Sequence, residues 1–213
     1  MKNLLFLLTL LCTTTLSAQG VGVGLRAGAH FSNFQVEDDG EVETNGVTAY
    51  SFGVLVPISL AENFAIQPEL SYLVKGYKVE VRAANMEIGN LSTEYAYIEI
   101  PVLLRGSFGP DAFKGYLQAG PAFGYAATGN IRSDVLGLDS EIDFEDPLYE
   151  NVKRTDISGI VGGGVILGSG GFGLMVDARY AFGISDNNDD PMREEKTTGL
   201  TLSAGLLFTL GNN

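Results

Sequence analysis

The stretch Thr197-Thr198-Gly199-Leu200-Thr201-Leu202-Ser203-Ala204-Gly205-Leu206-Leu207-Phe208-Thr209-Leu210 decides the fold. Thr198, Leu200, Leu202, Ala204, Leu206, Phe208 and Leu210 fall on one side, and they are apolar apart from the first. The intervening positions are Thr197, Gly199, Thr201, Ser203, Gly205, Leu207 and Thr209, small or polar apart from Leu207. Only a strand, with its side-chain period of two, sorts residues this way; a helix would mix the two sets around its axis. Residues 172–185 repeat the pattern, with Phe172, Leu174, Val176, Ala178, Tyr180, Phe182 and Ile184 against Gly173, Met175, Asp177, Arg179, Ala181, Gly183 and Ser185.

The same test applied along the chain gives eight segments, at about 20–34, 47–60, 64–82, 94–108, 113–130, 153–168, 172–185 and 197–210. The sixth is the weakest, because Gly162 and Gly164 share a face with Ile160 and Ile166. Tight connections at Ala61-Glu62-Asn63, Gly109-Pro110-Asp111-Ala112 and Ser169-Gly170-Gly171 alternate with longer polar loops at about 35–46, 83–93, 131–152 and 186–196. Short turns at one rim and long loops at the other describe an up-and-down antiparallel meander that closes into a barrel. A length of 213 residues, with no repeat or linker, fits one domain.

Ahead of these segments, Lys2 and the apolar run from Leu4 to Leu11 precede Leu16-Ser17-Ala18, the pattern of a secretory signal peptide over residues 1–18 that is removed on export. The run is too short to span a bilayer as a helix. Its removal takes away Cys12, the only cysteine, so an exported chain has no disulfide to stabilise it. A net charge of −13 repels nucleic acid phosphates, and one Cys with one His builds no zinc site. No cofactor is expected.

Two closed barrels suit eight alternating strands. A soluble, lipocalin-like carrier turns its apolar side inward around a ligand, and a transmembrane barrel turns it outward to lipid. The small-residue side decides between them. A surface facing bulk water should carry many Lys and Glu. This side carries Gly, Ala and Ser with isolated charges at Arg26, Glu69, Lys75, Glu99, Arg105, Asp177 and Arg179, which suits a narrow lumen where opposite charges pair. Aromatics fall into two sets as well. Phe64, Phe108, Phe113, Phe172 and Phe208 stand beside the short turns, and Phe31, Phe52, Tyr72, Phe123, Tyr125, Tyr180 and Phe182 stand toward the loops. Two such rings match the interfacial girdles of a bacterial outer-membrane barrel. Segments of roughly 16 residues exceed the ~9–11 needed to cross, so the strands should extend above the membrane. The fold expected is an all-β, eight-stranded antiparallel up-and-down transmembrane β-barrel.

The strand Ala96-Tyr97-Ile98-Glu99-Ile100-Pro101-Val102-Leu103-Leu104-Arg105 resembles the Tyr-Leu-Glu-Ile-Pro-Leu-Leu strand of the PorT-like outer-membrane β-barrel family common in Bacteroidetes. Leu25-Arg26-Ala27-Gly28-Ala29, Gln67-Pro68-Glu69-Leu70-Ser71-Tyr72 and Gly115-Tyr116-Leu117-Gln118-Ala119-Gly120-Pro121 extend the likeness in order along the chain. The resemblance implies an eight-stranded outer-membrane barrel. It implies no single activity, although one member of the family belongs to a protein-secretion system.

An eight-stranded lumen is wide enough only for side chains, so the inward charges should form an ion-pair network rather than a channel. His30 and Ser32 share a face and are the sole candidates for a base and nucleophile; without a third orienting group they do not define a catalytic site, and none is assigned. The loops hold 18 of the 26 acids, which reads as a solvated, self-repelling crown. Asp139-Ser140-Glu141-Ile142-Asp143 and Asp186-Asn187-Asn188-Asp189-Asp190 are candidates for weak Ca²⁺ or Mg²⁺ contact, but neither has the glycine and terminal glutamate of an EF-hand loop, so no metal site is assigned. In the 131–152 loop, Leu136, Leu138, Ile142, Phe144 and Leu148 are placed to anchor it over the barrel mouth or to a partner. The function expected is a non-enzymatic structural or surface-interaction role among outer-membrane lipids, lipopolysaccharide and other envelope proteins. A secretion-machinery subunit, a narrow porin and a soluble carrier are the alternatives.

Overall fold

A computed structural model describes residues 20–37, 44–83, 86–135, 137–149, 152–169, 171–185 and 194–210. The expected signal peptide lies outside these residues, as do Asp186–Asp190. The described residues form ten strands: β1 (Gly22–Glu37), β2 (Thr44–Leu55), β3 (Ile58–Ala61), β4 (Phe64–Ala83), β5 (Met86–Phe108), β6 (Phe113–Ser133), β7 (Leu138–Glu141), β8 (Thr155–Ser169), β9 (Phe172–Gly183) and β10 (Glu194–Thr209). A 3₁₀ turn, Pro147–Tyr149, follows β7. Among the described residues no helix is long and apolar enough to cross a membrane; crossing is left to the strands.

The strands pair in the order β2-β1-β10-β9-β8-β6-β5-β4, and β2 pairs with β4 to close the ring. Every pairing is antiparallel. β2 and β3 form one wall strand, and both pair with β4. They are interrupted at Val56-Pro57 because proline has no N–H for the ladder. The backbone there is still satisfied: Gly22 N donates to Pro57 O at 2.8 Å and Val56 N to Pro68 O at 3.0 Å. The ring therefore has eight wall strands, and the short turns fall at the three places expected.

The closure is staggered. Starting at Arg26, the register runs through Gly53, Ser71, Glu99 and Gly124 to Asp156 on β8. The other way round, through Gly205 and Met175, it reaches Ile166, ten residues along the same strand. A stagger of that size in eight strands tilts them by about 40°.

Burial separates the two parities as the alternation requires. Leu25, Leu70, Leu104, Leu117, Leu174, Val176 and Leu202 face outward and are exposed, and so are all twelve aromatics assigned to the two rings. Arg26, Gln67, Glu69, Lys75, Glu99, Arg105, Gln118, Asp177 and Arg179 point inward and are buried. A carrier built around an apolar cavity would show the reverse, so that alternative falls.

Two loop boundaries need correction. Most of the expected 83–93 loop is strand: residues 86–93 belong to β5, which pairs with β4, through a register shift between Val81 and Arg82, up to Ala83↔Met86 and makes a long hairpin. The 131–152 connection contains β7, which pairs with the upper end of β6. Above the bilayer both faces of a strand meet water, so the alternation that reveals strands lower down is lost there.

Candidate functional site

The interior is built from the small-residue side of each strand. Among the described residues, the buried charged groups are Arg26, Lys75, Arg105 and Arg179 against Glu69, Glu99, Asp156 and Asp177, four of each sign. Charge balance is what burial demands, because an unpaired ion in a low-dielectric interior costs several kcal/mol. Seven of the eight were expected. Asp156 supplies the missing fourth anion.

The groups form two clusters. Nearer the short turns, Glu69 on β4 accepts Arg179 Nη1 from β9 at 2.7 Å and lies 3.2 Å from Arg26 Nε. β4 and β9 stand on opposite walls, four strands apart in either direction, so this contact crosses the whole lumen. Arg179 also donates to Asp177 at 2.9 Å, and Asp177 accepts from Ser203 Oγ at 2.5 Å and Tyr116 Oη at 3.0 Å. Gln67 donates to Glu69 at 2.7 Å and accepts Arg105 Nη1 at 2.8 Å, and the Arg105 guanidinium lies over the Tyr116 ring. Toward the loops, Lys75 Nζ donates to Glu99 at 3.1 Å and to Asp156 at 2.6 Å, above the Tyr97 ring. Thr197 Oγ1 adds a bond to Asp156 at 3.2 Å.

Gly162 and Gly164, which weaken the sixth segment as a sequence pattern, are explained by this packing. A Cβ on Gly162 would come within 3.0 Å of Arg179 Cγ, and one on Gly164 within 2.7 Å of Tyr116 Oη. The missing side chains leave the space that the arginine and tyrosine fill. Tyr116→Phe, which removes only the donor to a charged acceptor, is expected to lower stability by roughly 1.5–3 kcal/mol, measured by urea titration of the folded barrel in detergent.

A loop closes the mouth above the Lys75 cluster. Ile142 packs into the lumen against Leu73, Tyr95, Tyr97 and Ala126, with Phe144, Tyr149 and Val152 around it. Its N–H donates to Gly129 O at 2.7 Å. Arg154 fastens the loop to the wall. Its guanidinium sits between the rings of Phe144 and Tyr125, 4.5 and 4.7 Å from their centroids, while Nε donates to Ala126 O at 3.1 Å. Of the loop residues considered as anchors, Ile142 and Phe144 serve over the mouth; Leu138 is exposed, and the side chains of Leu136 and Leu148 lie outside the described residues.

The other candidates are not brought together. His30 Nδ1 lies 2.8 Å from Thr201 Oγ1, while Ser32 Oγ accepts from Gly76 N at 2.9 Å, so base and nucleophile have separate partners. Asp139 binds Arg132 at 2.9 Å and Asp143 accepts Glu145 N at 2.9 Å, so these acids do not converge on a common point. Among the described residues no three His, Cys, Asp or Glu side chains gather as a metal site.

OprG of Pseudomonas aeruginosa has a similar solved structure, with 10% identity and a TM-score of 0.52 over 92% of this chain and 98% of that one. Neisserial surface protein A aligns at 15% identity and a TM-score of 0.47, covering 87% and 96%. Ail of Yersinia pestis aligns at 14% and 0.44, covering 88% and 98%. At these identities the likeness concerns the fold alone, and it is the OprG comparison that supports the ring of strands described above. No curated protein matches the sequence. The family described as "Outer membrane protein beta-barrel domain" matches residues 17–189, and with its outward apolar rows, aromatic rings and closed strand ring, this chain belongs to that family.

Proposed function

We propose that the protein is a non-enzymatic barrel of the bacterial outer membrane whose lumen is sealed and whose interactions take place on the loop side. One observation carries this reading: Arg179 and Glu69 meet at 2.7 Å from opposite walls, with the Lys75 cluster and Ile142 stacked above them. A passage for solutes would have to break these buried pairs one after another. The outward rows would contact phospholipid and lipopolysaccharide, and the acidic crown would face the surroundings. Kinship with the PorT-like branch is supported by the Glu99-Ile100-Pro101 strand, whose glutamate takes part in the Lys75 cluster. Membership of a secretion assembly is tested by crosslinking intact outer membranes and asking whether stoichiometric partners co-purify.

The direct test of the sealed lumen is conductance. Purified barrel inserted into planar bilayers is expected to give no steady openings on the nanosiemens scale, because eight strands leave room only for side chains. Stable large openings would refute the reading.

A further inference from the structure

β4, β5 and β6 run highest on the loop side, with β2 beside β4 up to Thr44↔Val79, and carry β7 at their margin. Across this raised sheet Val79 pairs with Leu91, Leu91 with Ser133, and Ser133 with Leu138. Paired residues share a face, and two-residue steps along β5 put Leu91 on the side of Tyr95 and Tyr97, which point into the barrel. The sheet therefore has an inner face that continues upward from the Ile142 plug. Val135 belongs to it, since a Cβ on Gly89 would fall 2.7 Å from Val135 Cγ2. At the centre of this face Leu91, Val135 and Leu138 are 37%, 39% and 56% exposed.

Lipid does not cover it. Val79 lies seven residues beyond Tyr72 of the upper aromatic ring, which at about 3.3 Å per residue on a tilted strand is on the order of 15–20 Å above the membrane boundary. Among the described residues β7 pairs with β6 alone, so its other edge offers backbone N–H and C=O groups to an incoming strand. β7 itself alternates: Leu138 and Ser140 lie on the inner face, Asp139 and Glu141 on the other. Residues 130–149 hold six acids, Asp134, Asp139, Glu141, Asp143, Glu145 and Asp146, against Arg132.

These features select an occupant. A strand added to β7 would set alternate side chains beside Leu138 and Ser140 on the inner face and the others beside Asp139 and Glu141, so it should alternate apolar and basic residues. A second copy is unsuited. Pairing β7 with β7 so that the apolar faces coincide puts Asp139 opposite Asp139 or Glu141, and like charges directly opposite are destabilising.

We propose that the inner face of the raised sheet and the free edge of β7 form a docking site for an extended, amphipathic, lysine- or arginine-rich segment of another protein. The proposal rests on the surface-interaction reading above and gives that surface a partner chemistry. The probe is the labelled peptide Lys-Val-Lys-Leu-Lys-Val-Lys-Leu, titrated against the full-length barrel in phosphatidylcholine nanodiscs. It is expected to bind at least tenfold more tightly than the same peptide with glutamate for lysine, and tenfold more tightly than a version N-methylated at every backbone nitrogen, which keeps the charge but can donate along neither edge. The L138D variant, checked for folding by heat-modifiable gel mobility, is expected to lose binding by a similar factor. Equal affinity for the N-methylated peptide would overturn the proposal by reducing the effect to adsorption on acidic charge. A dimer of the barrel that L138D dissolves would overturn it by giving the face to a second copy. The two peptide controls on the unaltered protein keep the test decisive if the variant does not fold, and conductance, read separately, shows whether the sealed-lumen reading stands or falls on its own.

Discussion

Lys75→Met is expected to destabilise the barrel by about 3–5 kcal/mol, the range for removing one partner of a buried ion pair. Lys75 Nζ is shared between Glu99 and Asp156 at 3.1 and 2.6 Å, and all three groups are buried. Methionine keeps the length and the apolar stem. What changes is that two carboxylates then face each other without a cation. The size of the loss follows from the residues left behind, so neutralising them should restore most of it. The triple variant Lys75→Met/Glu99→Gln/Asp156→Asn removes every charge of the cluster and is expected to recover the greater part of the stability, since a buried pair replaced whole costs far less than one broken. Urea titrations in detergent, read by the mobility shift between folded and heat-denatured barrel, measure both. A single variant within 1 kcal/mol of the parent would mean that bulk water reaches Glu99 and Asp156, and the sealed lumen would have to be abandoned.

The second large effect belongs to the opposite face. Leu104 points outward on β5, four residues from Phe108 in the lower aromatic ring and four from Ile100, the pairing partner of Phe123 in the upper one. It therefore sits near the middle of the apolar band. Leu104→Arg is expected to cost roughly 2–4 kcal/mol in lipid vesicles, whereas Leu60→Arg, beside the Ala61-Glu62-Asn63 turn, should cost about 0–1 kcal/mol because the charge reaches the interface. This depth dependence separates contact with hydrocarbon from ordinary surface exposure. Equal and small effects at both positions would place the leucine rows in water.

The barrel wall was legible in the sequence because lipid on one side and packed charges on the other impose a strict alternation. Leu200, Leu202 and Leu206 show it against Thr201, Ser203 and Gly205, and the structure exposes the first set and buries or partly buries the second. Seven lumen charges could be read in this way. Asp156 could not, since it stands at the start of a glycine-rich segment whose faces are hard to tell apart, and its role depends on Lys75, 81 residues away. Tyr97 and Tyr116 also carry no local sign of their task; each lies beneath a cation from another strand. The raised hairpin was hidden for a different reason. Residues 83–93 include Asn85, Glu87, Gly89 and Asn90, a composition that matches a loop, and in water neither face of a strand has to be apolar. The apolar residues of the 131–152 loop were visible. Which of them entered the mouth was decided by the space above Ala126 and Gly129, and no stretch of sequence records that space.

The pairing of β1 with β10 has a consequence for biogenesis. It joins the first and last strands of the barrel, with Arg26 and Ser203 separated by 177 positions. Until the final sixteen residues of β10 arrive, everything made before them is an open ribbon with two bare margins, able to recruit the wrong neighbour. Loop-closure entropy makes such a long-range seam slow to form. The cell must therefore shield the nascent ribbon from its own kind throughout transit, and a polypeptide stalled before Glu194 would be a seed for aggregation rather than a partly useful product.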